Sequence, residues 1–503
     1  MSTLYDAFFD DVASKLGANV INCREETLVR YGENTMPGGD RRPAGVIYPA
    51  STLDVQAVVI SANLHGVPLY PLSTGNNIGL GSRSAPAAGQ VIIDLGHKMN
   101  RILEIDDRLA YAVVEPGVTY QAMYDELVRR GNHFMIDVTS GPPQGGIIGN
   151  ALDKGAGYTP YSDHFGFSCG MEVVLGNGTL LRTGDGSLDH KTLVNWHTSK
   201  YSFGPILDGL FAQSNFGIVT RMGVWLMPRP PVVQSFHFTF PDEDDLEDII
   251  ELCRPLKLSN FVPTLFRVAN ELYLTASEGE SAEAHSGRSL SFSARKALQE
   301  KFGIGAWTVS GAFYGASQAA IAPLLGRIRE HFGKSGKARY IGEHEAQSIP
   351  ALQVAINAFS GKPSLGELGL LKWRPGGGNI WFTPGTPMDG KIANDFQKLC
   401  RQIYEDYGFD YTVMNVCGPR FARGLHVITF NKEDEDERNR ADACYRAMAS
   451  EVAKRGVFVG RAPLDYHDMH LAQTMPGFRQ ACSAVKYALD PKGIIAPGRY
   501  GIH

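Results

Sequence analysis

The stretch Pro71-Leu72-Ser73-Thr74-Gly75-Asn76-Asn77-Ile78-Gly79-Leu80-Gly81 decides the fold of this chain. Its first two residues end an apolar run, residues 67–72, that predicts a buried strand. Gly75, Gly79 and Gly81 can adopt positive φ and bring bare backbone N–H groups close together. Because such a concave group of amides binds anions, the loop predicts a cradle for a pyrophosphate.

Polar side chains around these glycines supply further neutral hydrogen-bond donors, namely Ser73, Thr74, Asn76 and Asn77. The loop is not an NTPase phosphate loop, because no Gly-Lys-Ser/Thr ending follows it. Its spacing also differs from the dinucleotide-binding fingerprint of a βαβ unit. Ordinary surface turns use the same residues, so the loop alone does not decide the function.

Further segments of the same character follow along the chain. They are a strand with a Pro-Gly turn at residues 111–119, glycine-rich loops at 139–150 and 155–164, a hairpin at 171–182, and a loop at 213–220 that leads into an apolar strand at 222–227. Asn177-Gly178 is the turn signal of the hairpin. Near the C-terminus stands Asp490-Pro-Lys-Gly-Ile-Ile-Ala-Pro-Gly-Arg499.

In this order the segments resemble the FAD domain of the vanillyl-alcohol oxidase and p-cresol methylhydroxylase (PCMH) flavoproteins. Residues 490–499 resemble that family's closing motif. The resemblance spans nearly the whole chain and is greatest to the branch that oxidises 4-alkylphenols and vanillyl alcohol. It implies an α+β, two-domain, PCMH-type FAD-binding fold with an α+β substrate-capping domain.

Pro228-Arg-Pro-Pro231 is the clearest domain boundary in the sequence. We expect residues 1–231 to form the N-terminal part of the FAD-binding domain and residues 232–455 the capping domain. Residues 456–503 are expected to return to the FAD-binding domain. Helices are predicted near residues 52–65 and 119–130, a strand at 235–240, and strand–helix units at 311–332 and 380–407. The charged run at 433–440 predicts a solvated helix start.

Composition narrows the class of protein. A chain of 503 residues can bury a sizeable core, and 43% hydrophobic with 20% charged residues is typical of soluble globular proteins. A net charge of −5 argues against nucleic-acid binding, and no apolar run reaches the ~20 residues of a membrane span.

The acidic, helix-patterned residues 1–11 do not read as a signal peptide. Seven scattered cysteines predict a reducing, cytoplasmic setting, and the scattered histidines and cysteines predict no metal site.

The resemblance assigns residues to the cofactor. The pyrophosphate set is Ser73, Thr74, Gly75, Asn76, Asn77, Ile78, Gly79 and Leu80. Residues implied to flank the flavin or its ribityl chain are Pro116, Gly117, Ser140, Gly145, Gly146, Gly149, Asn150, Gly155, Tyr158 and Thr159. Ile218 and Val219 are implied to contact the adenine side, and Arg499 to face the flavin.

Many members of this family tether the flavin covalently, through a His or a Tyr. Asn379 stands in the position of that His, and Leu371 stands in the position of that Tyr. Because neither side chain can form the bond, the sequence predicts non-covalent FAD, with attachment at a residue outside the motif as the alternative.

The substrate side departs further from the family pattern. Leu80 and Gly460 stand where relatives carry two tyrosines that bind a phenolate, whereas the arginine of that clamp is present as Arg461. Arg423-Gly424 replaces a pair of histidines. Thr139 and Ser140 lie nearest the position of the catalytic Asp of vanillyl-alcohol oxidase. The candidate catalytic residues are Arg461, Glu367, Arg423 and Arg499.

The predicted function is an FAD-dependent oxidase or dehydrogenase that abstracts hydride from a small aromatic substrate, a phenol or benzylic alcohol. One alternative is the oxidation of an anionic hydroxy or carboxylic acid bound by the arginines, with Glu367 balancing one of them. Another is a flavin-binding protein with vestigial catalysis. The expected partner is a small molecule, and the family resemblance implies a homo-oligomer, a dimer. Structural roles are expected for His426, Asp137 and His164, whereas helix packing and a role in the site explain Tyr466 and His467 equally well.

Overall fold

The computed structural model describes residues 3–278 and 288–503. Over these two ranges the chain is α+β, as predicted, with three sheets of more than two strands and one two-stranded ribbon. None of the helices in these ranges is long and apolar enough to cross a membrane.

The first sheet positions the phosphate-binding loop. Its elements and the helices around it are α1 (Thr3–Leu16), β1 (Ile21–Asn22), α2 (Glu25–Gly32), β2 (Gly45–Ile47), α3 (Thr52–His65), β3 (Leu69–Leu72) and β4 (Val91–Asp94). The strand order is β1-β2-β4-β3, with β2, β4 and β3 parallel. The helix predicted at residues 52–65 has those bounds, because the Ser51 side chain accepts a hydrogen bond from the Asp54 backbone and Gly66 ends the helix in the left-handed region.

The second sheet is antiparallel and has the order β5-β6-β10-β8-β9. The elements of this part are β5 (Ile102–Asp106), β6 (Tyr111–Val114), α4 (Tyr120–Arg129), β7 (Phe134–Met135), α5 (Ile147–Leu152), β8 (Ser168–Val174), β9 (Leu180–Arg182), β10 (Ile218–Trp225) and β11 (Met227–Pro228). β8 and β9 form the predicted hairpin, and Gly178 in its turn has φ +82°. β10 begins at Ile218, earlier than the strand predicted at residue 222, because Ile218 and Val219 already pair with β8.

The third sheet carries the substrate side of the cavity described below. Its strands are β12 (Val232–Phe240), β13 (Phe266–Asn270), β14 (Trp307–Gly315), β15 (Arg339–Ile341), β16 (Gly378–Phe382), β17 (Gly385–Pro387), β18 (Val413–Cys417) and β19 (Phe421–Phe430). The order is β15-β12-β14-β13-β18-β19-β16, and β17 pairs with β19. The helices of this part are α6 (Leu246–Leu258), α7 (Glu271–Ser277), α8 (Phe292–Phe302), α9 (Gln318–Gly333), α10 (Glu343–Ser348), α11 (Pro350–Phe359), α12 (Gly390–Asp406) and α13 (Glu435–Lys454).

The charged run at 433–440 opens α13, as predicted, but the run is not wholly solvated. Glu437 is buried, and its carboxylate accepts compensating hydrogen bonds from the Asn431 backbone at 2.6 Å and from Arg374 at 3.3 Å.

The last part of the chain contains α14 (His467–Ala472) and α15 (Pro476–Leu489). After α15 it runs beside the first sheet, where Leu69 of β3 bridges to Ile495 and the Asn215 side chain donates to Ala496 O at 3.0 Å. Earlier in this segment, Val459 bridges to Pro384, which lies between two strands of the third sheet. The segment therefore contacts both parts of the molecule, and the domain boundaries proposed above stay a prediction.

Candidate active site

The loop at residues 73–81, here called the phosphate loop, is held in an open curve by glycines. Gly75 has φ +67° and Gly81 has φ +140°, both in the region that favours glycine. At Gly81 a Cβ atom would lie 2.5 Å from Leu464 Cδ1. The backbone N–H groups of residues 75–78 donate to no acceptor in the described part of the chain. These amides are therefore free to bind an anion.

The polar side chains of the phosphate loop fasten it to its neighbours. Ser73 Oγ donates to Pro116 O, and Asn76 Nδ2 donates to Gln144 O at 3.0 Å. The Asn77 side chain also forms hydrogen bonds within the protein, to Asp153 and Arg461. The prediction that Ser73, Asn76 and Asn77 are donors for the pyrophosphate is thus corrected, because protein acceptors already engage them, whereas the role of Thr74 stays a prediction.

A second loop packs directly on the phosphate loop through glycines. A Cβ atom at Gly146 would lie 2.0 Å from Ser73 Oγ, and one at Gly149 would lie 2.9 Å from Ser73 Cβ. Any larger residue at these positions would push the two loops apart. The glycines of residues 139–150 therefore allow two backbone segments to meet at one wall of a cavity.

The cavity itself has a volume of about 860 Å³, within the usual range for ligand sites. Predicted cofactor residues on its wall are Ser73, Thr74, Gly75, Asn76, Asn77, Ile78, Leu80, Pro116, Ser140, Gly145, Gly146, Gly149, Asn150, Gly155, Tyr158, Ile218, Val219 and Arg499. The other candidate catalytic residues, Glu367, Arg423 and Arg461, also lie on this wall. Three predicted cofactor residues, Gly79, Gly117 and Thr159, do not.

Gly79 supports the loop from behind. Its N–H donates to Thr35 Oγ1 at 3.0 Å, and its φ is +74°. A Cβ atom there would lie 2.4 Å from both Asn379 Nδ2 and Trp381 Cδ1. Gly79 is thus needed for close packing, and not because its own amide faces the cavity.

Gly117 and Thr159 also have structural positions. A Cβ atom at Gly117 would lie 2.6 Å from Gly96 O, so two backbones meet there. The Thr159 N–H donates to Asp137 Oδ1 at 2.8 Å, and Asp137 Oδ2 lies 2.7 Å from His164 Nε2. Asp137 and His164 therefore make the structural hydrogen bonds expected of them.

Two of the candidate arginines share one carboxylate. Arg461 Nε lies 2.5 Å from Asp153 Oδ2, and Arg499 Nη2 lies 3.0 Å from Asp153 Oδ1. Arg461 also donates to Asn77 Oδ1 at 3.0 Å, and Arg499 donates to the Tyr70 hydroxyl at 3.1 Å. Burial opposes ionisation of Asp153, but Arg461 and Arg499 outweigh burial and hold the pKa of this carboxyl below its ordinary value.

Glu367 has its own counter-ion, which the sequence did not indicate. Its Oε1 lies 2.9 Å from Arg267 Nη2, and both side chains are buried. Arg267 also donates to Ser140 Oγ at 3.0 Å, and Ser140 bonds to the Tyr158 hydroxyl. The expectation that Glu367 balances Arg423 or Arg461 is therefore wrong, since Arg267 already neutralises it.

The remaining histidine and tyrosine candidates do not line the cavity. His426 lies beside the rings of Phe382 and Tyr411, and burial lowers its pKa to about 3. Tyr466 stacks on a neighbouring tyrosine with ring centroids 3.6 Å apart. His467 Nδ1 accepts the Tyr500 N–H at 2.9 Å. These contacts agree with the core role expected of His426 and favour the packing interpretation of Tyr466 and His467.

Comparison with known proteins agrees with this geometry. The family described as "FAD binding domain" matches residues 43–184. The flavoprotein subunit of 4-cresol dehydrogenase (hydroxylating) from Pseudomonas putida is 36% identical, over 97% of this chain and 94% of that protein. This chain belongs to the vanillyl-alcohol oxidase and PCMH family. It is an FAD-dependent oxidoreductase, and the predicted family and cofactor are confirmed.

Two further similarities extend over the whole chain. The 1'-carboxy-chondrochloren decarboxylase of Chondromyces crocatus is 32% identical, over 96% of this chain and 95% of that protein. The crystal structure of p-cresol methylhydroxylase with substrate bound superposes with a TM-score of 0.96 at 34% identity and covers 100% of this chain and 98% of the other. The predicted two-domain, PCMH-type fold is thereby confirmed.

The residues present fit the FAD of this flavoprotein family. The free amides of residues 75–78 suit the two phosphates, and the glycines of the second loop leave the cavity open beside them. Arg499, which the resemblance implies to face the flavin, also lies on the cavity wall. When bound, FAD supplies the two-electron acceptor of the reaction.

Both positions at which relatives tether the flavin lie off the cavity wall. Asn379 is fully buried in β16, and neither its Nδ2 nor its Oδ1 has a hydrogen-bond partner among the described residues. Leu371 is partly buried and packs against the apolar core. Neither side chain has the chemistry to bond a flavin carbon.

Sequence reasoning missed three residues that shape this site. Asp153 and Arg267 are the partners of predicted residues, and Tyr273 lies on the cavity wall near Glu367. Burial raises the pKa of Tyr273, and the Glu367 charge raises it further. Asp153 directly follows α5 and the glycine-rich loop, and this position was the one feature of the sequence that could have marked it as a site residue. Arg267 lies in β13, an ordinary buried strand, and no feature of the sequence around it indicates a site.

Proposed function

We propose that this enzyme oxidises a small aromatic substrate by removing hydride from a C–H bond to non-covalently bound FAD. The observation that carries the proposal is the continuity of the cavity from the phosphate loop to an apolar end in the third sheet. Apolar residues at that end are Leu265, Tyr273, Val416, Phe421 and Leu425. Such a wall suits an aromatic ring.

The chain's own residues orient the substrate and manage its proton. Asp153 fixes Arg461 and Arg499 at one side of the cavity. Glu367 lies on the cavity wall beside Tyr273, and Arg267 binds its Oε1. For an alcohol substrate, the hydride leaves from carbon and the hydroxyl proton leaves to a base, and we assign Glu367 as that base.

Relatives leave the substrate class open. By name, one relative acts on 4-cresol and another decarboxylates a carboxy compound. Simple 4-alkylphenols should be poor substrates here, because Leu80 and Gly460 cannot hydrogen-bond a phenolate. Each lost hydrogen bond to a charged group is worth ~1.5–3 kcal/mol, so two losses weaken phenolate binding by roughly hundreds-fold or more.

An anaerobic screen tests the proposal. The purified holoenzyme is mixed with aromatic alcohols, alkylphenols and aromatic acids, and bleaching of the flavin absorbance is followed. We expect at least one benzylic compound to reduce the flavin, and 4-ethylphenol and vanillyl alcohol to react weakly. Glu367→Gln, which keeps the shape but takes no proton, should slow reduction by an alcohol by roughly 100-fold. If dithionite reduces the flavin and no aromatic compound does, vestigial catalysis is the better description.

A further inference from the structure

Gln213 opens the loop at residues 213–217 that leads into β10, and it lies on the cavity wall. Its φ is +50°, in the left-handed region that a long side chain rarely adopts. Such a conformation persists only where the surrounding structure enforces it, and it is typical of functional sites. Further residues on this wall that are not glycine and have a left-handed φ are Ser82, Lys154, Ala496 and Tyr500. Backbone strain is therefore concentrated around the cavity.

The side-chain amide of Gln213 joins two backbone segments that are far apart in the sequence. Its Nε2 donates to Gly460 O at 2.9 Å and to Asp153 O at 3.3 Å. Its backbone N–H donates to Leu152 O at 2.7 Å. Since both partners of the side chain are carbonyl oxygens, the nitrogen of the amide has to face them. One side chain therefore fixes the spacing between the backbones of residues 153 and 460.

These two segments carry an ion pair of the site. Arg461, which follows residue 460, binds the Asp153 carboxylate through its Nε at 2.5 Å. Arg461 Nη2 also donates to Oδ1 of Asn77, in the phosphate loop, at 3.0 Å. Thr383 Oγ1 donates to Arg461 O at 2.7 Å and so anchors this segment beside the third sheet. Gln213 ties the same segment to the residue with which Arg461 pairs.

Asn215 makes a comparable arrangement for the second arginine. Its Nδ2 donates to Ala496 O at 3.0 Å and to Ile502 O at 2.7 Å. These carbonyl groups flank Arg499, whose Nη2 binds the other oxygen of Asp153 at 3.0 Å. Two amides of one short loop therefore hold the backbones that carry the two arginines.

We propose that Gln213 is a positioning residue for Arg461. By fixing residue 460 against residue 153, it keeps the guanidinium at the Asp153 carboxylate and at Asn77 of the phosphate loop. The affinity for FAD then depends on Gln213, although the side-chain N–H groups of Gln213 bond to the protein. The inference goes beyond the proposed function, because it concerns cofactor binding and holds for any substrate.

Dilution of the holoenzyme tests the inference, because the fluorescence of released FAD gives its dissociation constant. Gln213→Gly removes the amide and adopts the left-handed φ without strain, so the turn is retained. We expect it to weaken FAD binding by ~3- to 30-fold, the effect of one or two hydrogen bonds. Asn260→Gly is the matched control. Asn260 has φ +54° but does not line the cavity, so this variant should leave FAD affinity unchanged.

A double-mutant cycle shows whether the effect passes through Arg461. In an Arg461→Leu background, Gln213→Gly should change FAD affinity by less than about 2-fold, because no guanidinium is left to position. Gln213→Glu guards against a misfolded glycine variant: it keeps the length, loses both donors and should weaken FAD binding similarly. Urea midpoints of the same proteins give a second cycle, which does not depend on how the flavin is attached.

Two results would overturn the inference. One is an FAD affinity that Gln213→Gly and Gln213→Glu leave unchanged. The other is a loss of the same size in the wild-type and Arg461→Leu backgrounds, which would show that Gln213 acts independently of Arg461. The proposed function fails separately, if these affinities change as expected and no aromatic compound reduces the flavin.

Discussion

Three guanidinium groups line this cavity, and Asp153 is the carboxylate that pairs with two of them. Arg461 and Arg499 each bind one of its two oxygens, and both arginines are mostly buried. Each arginine was recognisable from its motif, but the carboxylate that holds them in place was not. The partner matters because a buried arginine without a counter-charge is costly.

Replacing Asp153 should therefore destabilise the protein. In Asp153→Asn the shape is retained and the charge is lost, so Arg461 and Arg499 repel each other. We expect the free energy of unfolding to fall by about 2–4 kcal/mol and the flavin content of the purified protein to decrease. Urea denaturation and the ratio of flavin to protein absorbance measure the two effects. Asp468→Asn, which changes a carboxylate that is 78% exposed, should alter neither, and equal stability of the two variants would refute this account.

β16 carries Asn379 where relatives place a tethering histidine. The strand pairs with β19 from Gly378 to Phe382, and the Asn379 N–H donates to Thr35 O at 2.9 Å. The side chain is consequently fixed behind Gly79 and away from the cavity. Strand β16 is therefore present, but the residue at the tether position cannot form the covalent bond to the flavin.

FAD should therefore dissociate when the protein unfolds. After precipitation with trichloroacetic acid, we expect the yellow colour in the supernatant and a colourless pellet. The physical reason is that neither Asn379 nor Leu371 can form a bond to the flavin. A pellet that stays yellow and fluoresces under ultraviolet light on a denaturing gel would show a covalent link and contradict the prediction.

Elements whose limits are set by local signals were predictable. α3 starts at a serine cap and ends at a left-handed glycine, and both signals lie within a few residues of the helix. The start of β10 was predicted late, because pairing of Ile218 with Val174 of β8 extends the strand, and pairing is not a local property. The burial of Glu437 was not predicted either, because it depends on packing against distant residues, and the charged run around it is typical of a solvated helix.

Across the whole molecule, buried histidines make stability depend on pH. Burial lowers the pKa of His237, His426 and His467 to about 3, and that of His470 to about 4. In the unfolded chain these groups titrate near their ordinary value of about 6.5. Between these values the unfolded state binds more protons, so stability is present above about pH 6.5 and is lost as the pH falls.

At pH 5 each of these histidines lowers the free energy of unfolding by about 2 kcal/mol relative to neutral pH. Urea midpoints at pH 7.5 and pH 5.0 measure the loss. His426→Phe should show a smaller loss, because neither ring nitrogen of His426 has a hydrogen-bond partner among the described residues and its neighbours are aromatic. His503→Gln changes an exposed histidine and should behave like wild type, and an equal loss in the His426→Phe protein would contradict the argument.

The sequence alone determined the family, the fold and the FAD cofactor, because its glycine-rich loops and its closing motif resemble those of that family in their order along the chain. Glycines, strand patterns and turn signals act within a few residues, so they can be recognised without the tertiary structure. Only the tertiary structure decided the electrostatic pairing. Arg461 and Asp153 are 308 residues apart, and Arg267 and Glu367 are 100 residues apart. Contacts over such distances depend on how separate sheets pack together, so no local sequence pattern shows them.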